Sequence, residues 1–308
     1  MKYLPIVISL LICMSCSGQR KPENKEQTGN VPVFETVSVP NLITDPQSRA
    51  EYAVIHYWDK FNFSDTTYIH YPDVTEQAIS NYIYLMVNVP KEKAVSSIRD
   101  MLKKAEVEKA VYTHFTGLYE KYLYEPNSPM RNEELYIPVL QAMMETSLLD
   151  DDNKIRPAHL LEVALRNRLG ETATDFTYEL PNGNTGKLYS LNADYLILYF
   201  YNPDCETCRE VTRGMMQSQV INGLIDAGNL KILTIYPDED RQAWIDHIPE
   251  MPGTWVVGHD TRSTLKNEEI YDLKAIPCLY LLDKNKTVLL KDAVFEQIEA
   301  YLYNNSGI

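Results

Sequence analysis

The chain has 308 residues, 44% of them hydrophobic and 23% charged, so it can bury sizeable cores and we expect two domains. Its net charge of −14 argues against nucleic acid and anionic membrane surfaces as partners, because both attract a basic stripe of Lys and Arg. The sequence has no phosphate-binding glycine loop, dinucleotide fingerprint or GxSxG motif, so hydrolase and nucleotide-dependent functions lack a starting residue.

Near the N-terminus an apolar run covers residues 4–14. A transmembrane helix needs about 20 apolar residues, so this run predicts an export signal over residues 1–15 and not a membrane span. The pair Ser15-Cys16 resembles the processing site of bacterial lipoprotein signals, in which a small residue precedes the cysteine that receives the lipid. The resemblance implies a lipid anchor on Cys16, in contact with a lipid bilayer, and a periplasm-facing position in the cell envelope. An ordinary secretory signal with an unrelated cysteine is the alternative.

Residues 16–33 are almost entirely polar and contain no aromatic group. They bury too little apolar surface to offset the entropic cost of ordering, which predicts a flexible tether between the lipid and the first domain. The signal and the tether leave residues 34–308 for the folded domains.

Between residues 34 and 170 apolar residues recur at helical spacing, which predicts an all-helical domain. Pro90 and the acidic pair after Asn132 mark two helix starts. Pro138 is expected to kink the second of these helices or to delay its start. The three carboxylates of residues 150–152 are expected in a solvated loop, since adjacent carboxylates do not converge on one metal ion outside an EF-hand type of loop. The predicted helices cover residues 46–61, 75–89, 91–105, 108–124, 132–149 and 157–168.

We expect no metal site in the helical domain. Its histidines are spaced like no metal-binding motif, and solvated or hydrogen-bonded imidazoles are the simpler interpretation: His56, His70, His114 and His159. The sequence therefore predicts a structural role for this domain and no catalytic residues in it.

After Gly170 short strands alternate with helices, which predicts a mixed sheet covered on both faces over residues 171–308. The predicted fold class is therefore α + α/β, with the all-helical domain first. A PNGN sequence at residues 181–184 is typical of a turn between two strands. The predicted strands cover residues 175–180, 187–191, 195–201, 230–236, 254–257, 278–282 and 287–291. The predicted helices cover residues 206–226, 241–247, 263–269 and 294–303.

The chemistry of the chain is concentrated at the Cys-Glu-Thr-Cys sequence of residues 205–208, between the apolar strand of residues 195–201 and the helix that follows. The N-terminus of a helix offers unpaired N–H groups and a positive partial charge, both of which favour a thiolate. Cys205 precedes the helix and should be exposed, whereas Cys208 lies one turn later and should point inward.

Two sequences carry a resemblance, YFYNPDCETC at residues 199–208 and YDLKAIPCLYLLD at residues 271–283. They resemble the redox loop and the cis-proline strand of thioredoxin-like proteins, in particular the membrane-tethered TlpA/ResA-type group that includes the cytochrome-maturation reductases. The resemblance implies that Cys205 attacks a partner disulfide and that Cys208 resolves the mixed disulfide. It also implies a cis peptide bond at Pro277, with Ile276 and Pro277 positioning the bound substrate.

The whole chain also resembles lipoproteins of Bacteroidota-type bacteria that carry a helical domain of unknown function, of the DUF5106 type, before a thioredoxin-like domain. Three sequences carry this resemblance: HYWD at residues 56–59, YEPNSPMRNEE at residues 124–134 and YNPDC at residues 201–205. The resemblance extends over nearly all of the mature chain and implies no substrate.

The chain departs from most thioredoxin-like proteins around Cys205. Asp204 stands where these relatives have Trp, and with Glu206 it places a carboxylate on each side of Cys205. Two negative charges disfavour the thiolate form of Cys205, which predicts a stable disulfide and hence a reductant. Tyr199 stands where thioredoxins have a buried acid. Cys278, after the proline, is interpreted either as a buried inert thiol or as a third redox partner or metal ligand.

The sequence thus predicts an enzyme, a membrane-tethered thiol-disulfide oxidoreductase of the cell envelope that acts through Cys205 and Cys208. We expect it to need no cofactor and no metal. Its partners would be envelope proteins with disulfides and an upstream electron donor. A binding or structural lipoprotein, in which Cys205 and Cys208 form only a structural disulfide, is the alternative.

Overall fold

The structure is a computed structural model and describes residues 32–307. The predicted signal of residues 1–15, the lipid site at Cys16 and most of the tether therefore lie outside the described residues. Between residues 32 and 307 no helix has both the length and the apolar character needed to cross a bilayer.

The first half of the described chain is helical, which confirms the predicted class of this region. Its last helix ends at Ala164, and the first strand of the sheet begins at Thr177. A 3₁₀ turn at Thr66–His70 precedes the second helix, and a π-helical turn at Glu120–Tyr124 extends the fourth. The helices are α1 (Pro46–Ile55), α2 (Pro72–Met86), α3 (Lys91–Ala105), α4 (Lys109–Tyr119), α5 (Glu133–Glu145) and α6 (Asp151–Ala164).

The start of α6 corrects the prediction of a solvated loop at residues 150–152. Asp150 is the N-cap, and its carboxylate accepts a hydrogen bond from the Asn153 backbone N–H at 2.9 Å. Asp151 and Asp152 lie in the first turn, where the free N–H groups and the positive end of the helix dipole stabilise negative charge. The acidic run therefore begins a helix.

Helix α5 begins at Glu133, where the Asn132 side chain accepts a hydrogen bond from the Leu135 backbone N–H at 3.2 Å. The helix continues through the buried Pro138, so the proline does not delay its start. The cap outweighs the proline because Pro138 lies only five residues beyond the helix start, where it removes one helical hydrogen bond.

The helical half has a core built on aromatic rings around Trp58, which is 2% exposed. Trp58 contacts Phe115 edge to face with ring centroids 5.2 Å apart, and its centroid lies 5.5 Å from that of Tyr82. Such edge-to-face pairs add to the free energy gained from burying the rings. The helix predicted over residues 46–61 includes Trp58, but α1 ends at Ile55 and Trp58 lies in the turns that follow.

The second half is a mixed sheet, as predicted. Its strands are β1 (Thr177–Glu179), β2 (Thr185–Lys187), β3 (Tyr195–Phe200), β4 (Leu230–Tyr236), β5 (Val256–His259), β6 (Cys278–Asp283) and β7 (Val288–Leu290). They are ordered β2-β1-β5-β4-β3-β6-β7, and β3, β4 and β5 run parallel to one another. The helices of this half are α7 (Glu206–Gln217), α8 (Gln219–Asp226), α9 (Arg241–His247), α10 (Thr264–Asn267) and α11 (Phe295–Asn305).

The single helix predicted over residues 206–226 is divided into α7 and α8 at Ser218. The Ser218 hydroxyl accepts a hydrogen bond from the Ile221 backbone N–H at 3.1 Å, so it caps α8. A buried serine with extended backbone thus ends one helix and begins the next.

Strand pairing places the two resembling sequences side by side. Strand β3 pairs with β6 in antiparallel register, and Phe200 at the end of β3 lies opposite Cys278 at the start of β6. The loop that leads to Cys205 and the loop that contains Pro277 therefore meet at the same edge of the sheet.

Candidate active site

Cys205 is the N-cap residue of α7, with φ −85° and ψ 118°. Its Sγ accepts a hydrogen bond from the Cys208 backbone N–H at 3.2 Å. The side chain is partly exposed and is a free thiol. A sulfur in this position is stabilised as a thiolate by the first N–H groups of the helix and by the positive end of its dipole.

Cys208 lies one turn further along α7 and is 2% exposed, as its helical position predicted. Burial raises the pKa of the Cys208 thiol to about 12, because a buried thiolate loses hydration, and the hydrogen bond to Cys205 adds to the shift. The two thiols thus differ in their access to solvent. The outer one is available to a partner and the inner one is shielded.

The loop before β6 faces Cys205. The peptide bond between Ile276 and Pro277 is cis, as the resemblance implies. The Ile276 carbonyl oxygen lies 3.8 Å from Cys205 Sγ. The structure therefore brings together Cys205, Cys208, Ile276 and Pro277, all of which the sequence analysis selected.

The two predicted modulating carboxylates differ in their surroundings. Glu206 is exposed, and its carboxylate contacts the Arg209 guanidinium at 2.5 Å, which holds the pKa of Glu206 below its ordinary value. Asp204 is exposed, and its backbone N–H donates to the Asn202 side chain at 2.9 Å. Arg209 offsets part of the negative charge that the sequence placed beside Cys205.

Sequence reasoning missed Arg209, although one signal could have found it. Glu206 and Arg209 are three residues apart, a spacing that places them on the same face of a helix. Arg209 also donates to the Pro203 carbonyl oxygen at 3.2 Å, so it contacts the loop on the other side of Cys205.

Tyr199 lies beneath the cysteines, at the position where thioredoxins have a buried acid. Its hydroxyl donates to the Cys208 carbonyl oxygen at 2.8 Å and lies 3.3 Å from the Thr212 hydroxyl. Burial raises the pKa of Tyr199, so the phenol stays neutral at ordinary pH. It fixes the first turn of α7 and does not accept a proton from Cys208 in the way that a carboxylate would.

An open space borders the inner thiol. A cavity of ≈ 270 Å³ is lined by Cys208 and by residues of α7 and the loops beside it, among them Tyr201, Met216 and Met251. Cys208 is thus shielded from bulk solvent without being packed on every side.

Cys278 packs on the opposite face of the sheet from Cys208. It belongs to the core cluster that contains Phe176 and Tyr271, whereas Cys208 belongs to the cluster that contains Met215 and Trp244. Cys278 is fully buried, and burial raises the pKa of its thiol. These surroundings favour the interpretation of a buried inert thiol. No group of three or more His, Cys, Asp or Glu residues within residues 32–307 could hold a metal ion.

Two family models match the chain. The model described as "Domain of unknown function (DUF5106)" matches residues 12–167, and the model described as "Thioredoxin-like" matches residues 192–288. Together with the mixed sheet, these matches confirm the predicted combination of a helical domain and a thioredoxin-like domain.

The chain is similar to solved structures and to a curated protein over different shares of its length. A thioredoxin-like protein from Bacteroides caccae is 47% identical, with a TM-score of 0.87 over 89% of this chain and 99% of that chain. The C-terminal domain of an uncharacterized protein from Bacteroides fragilis is 49% identical, with a TM-score of 0.44 over 44% of this chain and 98% of that domain. Human nucleoredoxin is 26% identical over 116 residues, or 37% of this chain, and the matched region spans only 26% of the length of nucleoredoxin.

Proposed function

Because the chain belongs to the DUF5106 family and carries a thioredoxin-like domain, we propose that it is a membrane-tethered thiol-disulfide oxidoreductase of the cell envelope. In this proposal it reduces protein disulfides through Cys205 and Cys208. The observation that carries the proposal is the position of Cys205 Sγ. This sulfur accepts the Cys208 backbone N–H at 3.2 Å and lies 3.8 Å from the Ile276 carbonyl oxygen beside the cis Pro277.

The reaction follows from the different surroundings of the partly exposed Cys205 and the buried Cys208. The Cys205 thiolate attacks one sulfur of a partner disulfide, forms a mixed disulfide and releases the other partner sulfur as a thiolate. Cys208 then attacks Cys205 Sγ, closes the Cys205–Cys208 disulfide and releases the second partner sulfur. Two electrons pass from the two cysteines to the partner, which takes up one proton lost by Cys208 and one from solvent and leaves as a dithiol. A dithiol reductant of the envelope returns the pair to its reduced form.

The direction of electron flow rests on the charges around Cys205. A thioredoxin-like protein is a strong oxidant when its reduced, thiolate form is stabilised. Asp204 and Glu206 disfavour the Cys205 thiolate and so favour a reductant, although Arg209 offsets part of this effect. A redox titration against glutathione is expected to give a potential nearer the about −270 mV of thioredoxin than the about −120 mV of DsbA. A potential near the DsbA value would reject the assignment as a reductant.

The tether is proposed from the sequence. Replacement of Cys16 by Ala is expected to abolish incorporation of labelled fatty acid and to release the protein from the membrane fraction. Fatty-acid labelling that survives Cys16→Ala would overturn the proposed anchor.

The enzymatic proposal is tested by reduction of insulin with dithiothreitol as the electron source. Purified protein is expected to accelerate the reaction, and Cys205→Ser is expected to abolish the acceleration. Cys278→Ala is the matched control, because it removes a buried thiol on the other face of the sheet and should leave the acceleration in place. If the wild-type protein accelerates the reaction no more than Cys205→Ser does, the pair is a structural disulfide and the proposal is wrong.

A further inference from the structure

Charged side chains lie half-buried where the helical half meets the sheet half. We call them the interdomain ion cluster: Arg131 and Glu133 from the helical half, with Asp272, Lys274, Lys291 and Asp292 from the sheet half. Glu133, in the first turn of α5, pairs with Lys291 and lies 3.9 Å from Lys274 Nζ. Arg131 contacts the Asp292 carboxylate at 3.0 Å.

Lys274 is the member of the cluster closest in sequence to the cis proline, three residues before Pro277. Its ammonium lies 2.5 Å from the Asp272 carboxylate and 4.5 Å from the centre of the Tyr124 ring. Tyr124, like Glu133, belongs to the helical half, so that half contacts the Lys274 ammonium through two side chains. Two residues further along the chain is Ile276, whose carbonyl oxygen lies 3.8 Å from Cys205 Sγ.

The interdomain ion cluster is not expected to stabilise the fold more than apolar residues would. Taking charges out of water is costly, and well-packed apolar residues in place of a buried ion pair are often neutral or stabilising. Burial raises the pKa of Glu133 above its ordinary value, and the attraction of Lys291 and Lys274 opposes this shift. Ion pairs differ from apolar packing in that they fix the relative position of the groups they join. Here the position that is fixed is that of the segment that ends in the cis proline.

We propose that Glu133 is a positioning residue for the redox site. Through Lys274 it holds the Ile276–Pro277 loop at the distance from Cys205 that a bound protein disulfide requires. The helical domain thereby takes part in the reaction without touching the reacting sulfurs. This inference rests on the proposed function, because it concerns how Cys205 meets its substrate.

The adjacent residue provides a matched control. Glu134 is buried to a similar extent, with 13% of its side chain exposed against 16% for Glu133, and it also forms two ion pairs. Its partners are Lys91 and Arg168, and neither belongs to the loop before Pro277. Glu133→Gln and Glu134→Gln therefore make the same chemical change one residue apart, but only Glu133 contacts the segment that leads to Pro277.

The test compares two substrates for each variant, insulin and the small disulfide 5,5′-dithiobis(2-nitrobenzoate). Glu133→Gln is expected to lower the rate constant for insulin by about 2- to 30-fold, the range of measured couplings between sites, with a smaller effect on the small disulfide. Glu134→Gln is expected to stay within about twofold of wild type for both substrates. A simple loss of folded protein would lower both rates equally, so the ratio of the two rates reports positioning.

Glu133→Asp provides a second variant in case Glu133→Gln does not fold. It keeps the charge but shortens the reach toward Lys274, and it should also lower the insulin rate more than the rate for the small disulfide. Equal ratios in wild type, Glu133→Asp and Glu134→Gln would overturn the inference while leaving the proposed function intact. An inactive wild-type protein would instead reject the proposed function itself.

Discussion

The thiol of Cys205 lies 3.8 Å from the backbone carbonyl oxygen of Ile276, 71 residues further along the chain. The two residues meet because β3 ends at Phe200 and β6 begins at Cys278, and these residues are paired in the antiparallel register. A disulfide that approaches Cys205 therefore meets the backbone of residues 276 and 277 at the same place. The pairing of β3 with β6 therefore places the backbone of residues 276 and 277 beside Cys205.

The two thiols should differ in their reaction with iodoacetamide. Burial raises the pKa of the Cys208 thiol to about 12, so at pH 8 almost all of Cys208 is protonated. Peptide mass spectrometry at pH 8 is expected to find Cys205 labelled and Cys208 labelled at least about tenfold more slowly. Because the thiolate fraction rises with pH below the pKa, labelling of Cys208 should increase about tenfold per pH unit up to pH 11. Protein unfolded in urea, the control, should label both cysteines alike, and equal labelling of the folded protein at pH 8 would contradict this assignment.

Glu206 and Arg209 should have opposite effects on the rate at which Cys205 is alkylated. Glu206→Gln removes a negative charge and leaves Arg209 unopposed, so it favours the thiolate and should speed alkylation of Cys205 at pH 7. Arg209→Gln leaves Glu206 unopposed and should slow it. Both groups are exposed, so each change should be about two- to fivefold and should shrink in 1 M salt. Changes of the same sign in the two variants would show that the ion pair does not act on Cys205 through charge.

The aromatic core of the helical half should dominate its stability. Trp58 is almost fully buried and contacts the rings of Tyr82 and Phe115. Trp58→Ala leaves a large cavity and is expected to lower the free energy of unfolding of this half by about 3–5 kcal/mol, measured in urea by circular dichroism. Tyr84→Ala removes an aromatic ring that is 68% exposed and should change this free energy by less than about 0.5 kcal/mol. A loss below 1 kcal/mol for Trp58→Ala would mean that the ring cluster does not hold the helices together.

Much of the fold could be predicted because local sequence dictates it. Helix α3 occupies the predicted residues 91–105, because its apolar positions recur at helical spacing and Pro90 fixes its start. Strand β4 also occupies the predicted residues 230–236, an apolar run bounded by a turn glycine. The error at residues 150–152 came from interpreting a capping signal as a loop signal, since aspartate is common in both.

The site was only partly visible in the sequence. Cys205 and Cys208 could be selected from their spacing at the start of a helix, and Pro277 from the resemblance to thioredoxin-like proteins. The ion pair of Glu206 with Arg209 follows from helical spacing once α7 is known. The contact between Glu133 and Lys274 joins residues that are far apart in the chain, and nothing local in either sequence indicates the other. Only the packing of the two halves brings them together.

The most direct test of the account is the fate of a mixed disulfide on Cys205. Reduced Cys208→Ser protein, treated with glutathione disulfide, should carry a persistent glutathione adduct that peptide mass spectrometry locates at Cys205. Wild-type protein should lose the adduct and end with a Cys205–Cys208 disulfide, because the inner thiol displaces glutathione. An adduct that persists equally in both proteins, or that forms on Cys278, would contradict the assignment of Cys205 as the attacking thiol and Cys208 as the resolving one.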